Sequence, residues 1–212
     1  MTEPSPSSTT TPVATPEQVL EFWLGDGIEK DWPTQDLGER WFGGGAELDA
    51  EITARFGGAV DKALAGGLRD WEQTLLHRLA LIILLDQFTR NIFRGSARAF
   101  SGDTRAQQLV RQTIAAGEDA QLPWAARIFL YMPLMHAESP PLQDECVARF
   151  TRLVDDAPEA LKQRLRGNLD YAHQHRDIIA RYGRFPYRNA ALGRADTPEE
   201  QDFLRKGPRF GQ

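Results

Sequence analysis

The stretch DWEQTLLHRLALIILLDQFTRNIFRG, residues 70–95, decides the fold class. Asp70-Trp71-Glu72-Gln73 reads as a capping box. The apolar run at 79–85 predicts a buried helix continuing to about Phe88. The run is far short of the ~20 apolar residues that span a bilayer. His77 and Arg78 precede it and Asp86 follows it, which marks a core helix, and no membrane partner is expected.

Helix signals recur on both sides. Thr15-Pro16-Glu17-Gln18 is a capping box with proline at the first helical position, opening a helix that Gly25 ends. Leu48, Ile52, Phe56, Val60 and Leu64 recur four apart and predict an amphipathic helix over 47–65. Asp103 is placed to cap a helix over 104–116. A short helix follows from Pro123 to about Met132, where Pro133 kinks or ends it. Further helices are expected from Ser139-Pro140, over 158–182, and after a third box at Thr197-Pro198-Glu199-Glu200. Strand signals are nearly absent. The class is all-α: about eight helices in helical hairpins, as one domain over 17–206. Residues 1–16 read as a disordered tail and 207–212 as a C-terminal tail. The thirty-four-residue tetratricopeptide pattern is not visible.

Composition narrows the function. The chain has 212 residues, one cysteine and a net charge of −5. That charge argues against a nucleic-acid partner. Cys146 lies on an apolar stripe and reads as core. A lone cysteine and no export signal point to the cytoplasm. No phosphate loop, dinucleotide fingerprint, nucleophile elbow or zinc motif is present, so no metal or cofactor is expected.

Polar residues on faces that should be apolar mark a candidate site. Asp86 needs a partner if buried, and Arg90 lies four positions on, with Arg94 beyond. Gln87 and Asn91 repeat that spacing one step around the helix. Pro133 precedes His136 and Glu138; their His-x-Glu lacks the cysteines of a zinc deaminase. His175 shares a face with Leu165, Ala172 and Ile179 and reads as a core histidine. Pro186 forces Phe185 to be extended, making a strap that carries Arg184, Arg188 and Asn189. Arginine suits carboxylate or phosphate because its planar fork binds two oxygens.

The stretches VLEFWLG (19–25), LDQFTRNIFRGSARAF (85–100), YMPLMHAE (131–138), RYGRFPYRNAALGR (181–194) and TPEEQDFL (197–204) resemble a bacterial family known as domain of unknown function 924. The resemblance implies an all-helical, tetratricopeptide-like right-handed superhelix. It adds no reaction or ligand. Two departures stand out: Thr89, where the family usually has proline, and Tyr187, where it usually has histidine.

The leading expectation is a binding protein whose groove takes an anionic small molecule or peptide carboxylate. Arg90, Arg94, Arg184 and Arg188 would clamp it, and Gln87, Asn91, Asn189 and His136 would orient it. A second reading is an enzyme on a small anionic substrate, with His136 and Asp86 or Glu138 in acid–base work. Its mark would be a carboxylate bonded to the His136 ring beside a pocket. A third is a purely structural network, with every arginine paired and no cavity. The aromatic segment at 25–46 either covers the groove or forms a homodimer contact.

Overall fold

A computed structural model describes residues 13–207 of the chain. Of the expected tails at 1–16 and 207–212, residues 1–12 and 208–212 lie outside the described residues. Within them the chain is helical and carries no strand. Nine α-helices follow in order: α1 (Pro16–Leu24), α2 (Ala46–Leu64), α3 (Leu75–Ile83), α4 (Thr89–Ile92), α5 (Asp103–Ala115), α6 (Trp124–Met135), α7 (Pro140–Asp156), α8 (Glu159–Tyr182) and α9 (Pro198–Lys206). None is long and apolar enough to cross a membrane. α1 begins at Pro16, inside the span read as tail.

Local chemistry explains most boundaries. In α1 the Thr15 hydroxyl accepts from the Gln18 N–H, and the Gln18 side chain accepts from the Thr15 N–H. Thr197 and Glu200 close the same reciprocal box at α9. The box expected at 70–73 does not form. Arg69–Glu72 is a single tight turn, and α3 starts only after the extended Thr74. The reason is Trp71: its side chain is buried, which fixes that turn against the core instead of opening a helix.

The central helix also runs past Phe88. A π turn, Leu84–Phe88, joins α3 to α4 without interrupting the rod. Pro133 sits inside α6, which continues to Met135. Asp103 lies in the first turn of α5 and gives its carboxylate to Arg90 rather than to the helix end.

The core is aromatic at the centre. Phe88 meets Trp23 at 5.3 Å and Phe56 at 4.9 Å between ring centroids, and Trp23 meets Phe129 at 5.6 Å. α7 and α8, joined through Ala157-Pro158, form an antiparallel hairpin, and α6 packs on α7. A tetratricopeptide-like superhelix is compatible with this packing and is not required by it. The 25–46 segment is anchored to α1: Arg40 Nη1 donates to the Phe22 carbonyl at 2.5 Å and Trp41 Nε1 to the Trp23 carbonyl at 2.6 Å.

α5 approaches the π turn closely at Gly102. A Cβ there would run into the Leu85 carbonyl oxygen and lie 3.0 Å from Leu85 Cα. Backbone cannot swing aside as a side chain can. Gly102→Ala is therefore expected to destabilise the chain by about 1–3 kcal/mol, the usual cost of overpacking. A urea unfolding curve reads this directly; an unchanged midpoint would show the two elements are not locked together here.

Candidate functional site

The π turn places Asp86 under the site. Its side chain is fully buried, at 0% exposure. A carboxylate there must be matched by donors, and three residues supply them. His136 Nδ1 lies 2.8 Å and 3.0 Å from the two oxygens, Gln87 Nε2 lies 2.5 Å from Oδ2, and Arg90 Nη1 lies 3.2 Å from Oδ1. A carboxylate only accepts, so His136 carries its proton on Nδ1. Nε2 is left as an acceptor, and no described residue bonds to it.

The pairing extends outward. Arg90 forks onto Asp103 through two bonds of 2.9 Å. Arg188 lies 3.6 Å from the same carboxylate and donates to the His136 carbonyl at 3.0 Å. Its guanidinium also stacks between Phe100 and Phe185, at 4.6 Å and 4.5 Å. Gln143 on α7 donates to the carbonyls of Met135 at 2.6 Å and Ala137 at 2.8 Å, fixing the end of α6 that carries His136.

Above this network is a cleft of about 470 Å³. Gln87, Arg90, Asn91 and Arg94 form one wall, and Met132, Met135 and His136 form the floor. Asn168, Tyr171, Gln174 and His175 of α8 face them. The segment from Arg40 to Gly44 closes the remaining side, so the aromatic stretch borders the cleft. No Asp or Glu lines it among the described residues.

Several expected site residues lie elsewhere. Glu138 is held by Arg194 at 2.6 Å and 2.9 Å and accepts from the Phe185 N–H at 2.8 Å. Arg184 forks onto Glu200, at 2.6 Å and 2.8 Å. Asn189 donates to Asp196 at 2.7 Å. These three and Arg188 do not line the cleft. The strap meets the central helix through Asp103 and Arg188, not across an open groove. Arg94 and Asn91 both bind Asp49, at 2.9 Å and 2.8 Å. Each of the four clamp arginines thus already has a carboxylate partner.

Sequence reading missed Arg40, Asp49, Asp103 as a partner, and Gln143. Arg40 had a local signal: it is the only cation in the stretch GERWFGGG, residues 38–45. Asp49 and Asp103 act from other helices, and Gln143 reaches back onto the end of α6; none of the three leaves a pattern in its own segment. No cluster suited to a metal ion occurs among the described residues. Cys146 is buried, and burial pushes its thiol well above the ordinary value, as expected of a core cysteine.

Burial opposes ionisation of Asp86, but the charge His136 takes on once protonated in acid, the charge of Arg90 and the hydrogen bonds outweigh it and hold its carboxyl at about 2. Burial lowers His136; Asp86 opposes this, and Arg90 and Arg188 add to it. Two carboxylates, Asp86 and Asp103, already balance two guanidiniums, Arg90 and Arg188. A neutral imidazole completes that set without excess charge. His175 is pushed down to about 3, first by burial and then by the charge of His136, although its Nδ1 bonds the Tyr171 carbonyl at 2.8 Å.

These shifts set an acid dependence. Unfolded histidine titrates near ~6.5 and unfolded aspartate near ~3.9. Both folded values are depressed, so both contributions to stability are complete above the unfolded values. His175 loses its share as pH falls from ~6.5 towards about 3, and Asp86 loses its share between ~3.9 and about 2. Urea midpoints measured at successive pH values should fall on acidification. His175→Gln should flatten the upper window by up to about 1.4 kcal/mol per pH unit. An unaltered slope would mean His175 is not buried neutral.

Comparison with known proteins agrees with the motifs. The family model described as "Bacterial protein of unknown function (DUF924)" matches residues 19–208. The chain is also similar to a solved structure of a protein of unknown function, ATU0120, from Agrobacterium tumefaciens. Identity is 33%, with 91% of this chain and 97% of that one covered, at a TM-score of 0.75. The search of curated proteins gave no match. With nearly its whole described length matched, the chain belongs to the bacterial family of unknown function DUF924.

Proposed function

We propose that the cleft is a small-molecule site in which His136 takes a proton from a hydroxyl or water held there. The carrying observation is the 2.8 Å contact between His136 Nδ1 and buried Asp86, with the same ring forming the cleft floor. Asp86 fixes the tautomer and would stabilise the imidazolium formed when Nε2 accepts a proton. The depressed basicity of His136 keeps the ring neutral and ready to accept near neutral pH. The cleft volume lies within the ~300–1,000 Å³ usual for small-molecule sites.

This reading exchanges the rank of the two expectations from sequence. The arginine clamp loses support because all four guanidiniums are matched within the protein. A purely structural network accounts for that matching but not for a cleft beside it.

The test is a turnover screen over esters, phosphate esters and hydroxy acids, run on the unmodified chain and on His136→Ala. A general base contributes about 10²–10⁴-fold. Turnover falling by that factor in the variant supports the proposal. Turnover that survives the substitution at full rate sinks it.

A further inference from the structure

The protein's own hydrogen bonds dictate which atoms remain for a ligand. Gln87 gives its Nε2 to Asp86 at 2.5 Å and to the Met132 sulfur at 3.2 Å. Asn91 gives its Nδ2 to Asp49 at 2.8 Å. His136 gives its Nδ1 to Asp86. Ionised carboxylates cannot donate, so these orientations are forced. Each residue lines the cleft with a donor tied down, and only the second Nδ2 hydrogen of Asn91 is left over. Besides that one N–H, what remains is two carbonyl oxygens, Gln87 Oε1 and Asn91 Oδ1, and one ring nitrogen, His136 Nε2. All three are acceptors. This part of the cleft calls for a ligand that donates.

The opposite requirement comes from Arg40. It lines the same cleft; among the described residues its one side-chain hydrogen bond is Nη1 to the Phe22 carbonyl at 2.5 Å, and its guanidinium lies over the Phe22 ring at 4.6 Å. No described residue supplies it with a carboxylate, unlike Arg90 and Arg94. The remaining donors of its fork suit an oxyanion. The rim adds a third requirement. Among the described residues, three large hydrophobic side chains are exposed. Two of them, Phe42 at 58% and Tyr171 at 51%, line this cleft. Exposed aromatic faces beside a polar floor suit the C–H face of a ligand whose other edge is polar.

We infer that the ligand is a small hydroxylated anion, with its anionic group on Arg40 and a hydroxyl on the acceptor set of Gln87, Asn91 and His136. This inference rests on reading the cleft as a binding and acid–base site. The anionic group is a carboxylate or a phosphate; both fit a guanidinium fork, and the probes separate them.

The experiment is thermal melting and calorimetric titration of the full chain with four probes. Gluconate and glucose 6-phosphate are hydroxylated anions; glucose lacks the charge; hexanoate lacks the hydroxyls. At least one hydroxylated anion should bind at least tenfold more tightly than both controls, and whichever does so identifies the anionic group. Arg40→Ala should weaken that binding at least tenfold and bring it towards glucose. Glucose or hexanoate binding as well as the hydroxylated anions would overturn the inference, as would no binding by any probe at millimolar concentration. The selectivity of the unmodified chain is sufficient, so poor folding of Arg40→Ala does not remove the test. His136→Gln separates the two readings. Selective binding with turnover independent of His136 leaves the ligand class standing and ends the acid–base reading. His136-dependent turnover of an uncharged substrate, without that selectivity, does the reverse.

Discussion

The structure depends on one buried carboxylate. Asp86 has no access to water, and an unmatched ion in that position would cost several kcal/mol. Its matching donors come from its neighbour Gln87, from Arg90 one turn on, and from His136 on another helix. The pairing continues through Arg90 to Asp103 and from there to Arg188, which returns to the His136 carbonyl. The central helix, α5, α6 and the strap are therefore tied by one closed set of charges. Such a set contributes more to uniqueness of arrangement than to net stability, because desolvation offsets most of the Coulombic gain. Uniqueness is what a site needs: it fixes the ring and amide faces turned to the cleft.

The fold supports this with two local devices. The π turn holds Asp86 and Gln87 in the middle of an otherwise regular rod, and such turns are frequent at functional sites. Gly102 lets the start of α5 approach the Leu85 backbone, which brings Asp103 within reach of Arg90. On the far side, the 39–43 turn is pinned to the end of α1 by Arg40 and Trp41. The cleft thus lies between three separately anchored walls.

Much of this was legible in the sequence. A lone aspartate after a seven-residue apolar run needed a partner if buried, and Arg90 was the local candidate. The all-helical class followed from periodicity and from two capping boxes that form as read. What failed had physical reasons. Trp71 is large and apolar, and burying it outweighed the cap that Asp70 to Gln73 spell out. Arg188 and Asn189 read as a strap offering donors to a ligand because their partners Asp103, Asp196 and Arg194 gave no local sign of the pairing. His136 lies fifty residues from Asp86, and only folding brings the two together. Arg40 was overshadowed by the aromatics around it, although it is the cleft arginine without a carboxylate partner among the described residues.

The most direct measurement is a long-range ¹H–¹⁵N NMR spectrum of the histidine side chains near neutral pH, with His136 assigned by its loss in His136→Gln. The account predicts a neutral His136 ring with its proton on Nδ1 and a bare Nε2. A His136 that is doubly protonated, or carries its proton on Nε2, would contradict the claim that Asp86 sets the chemistry of the cleft.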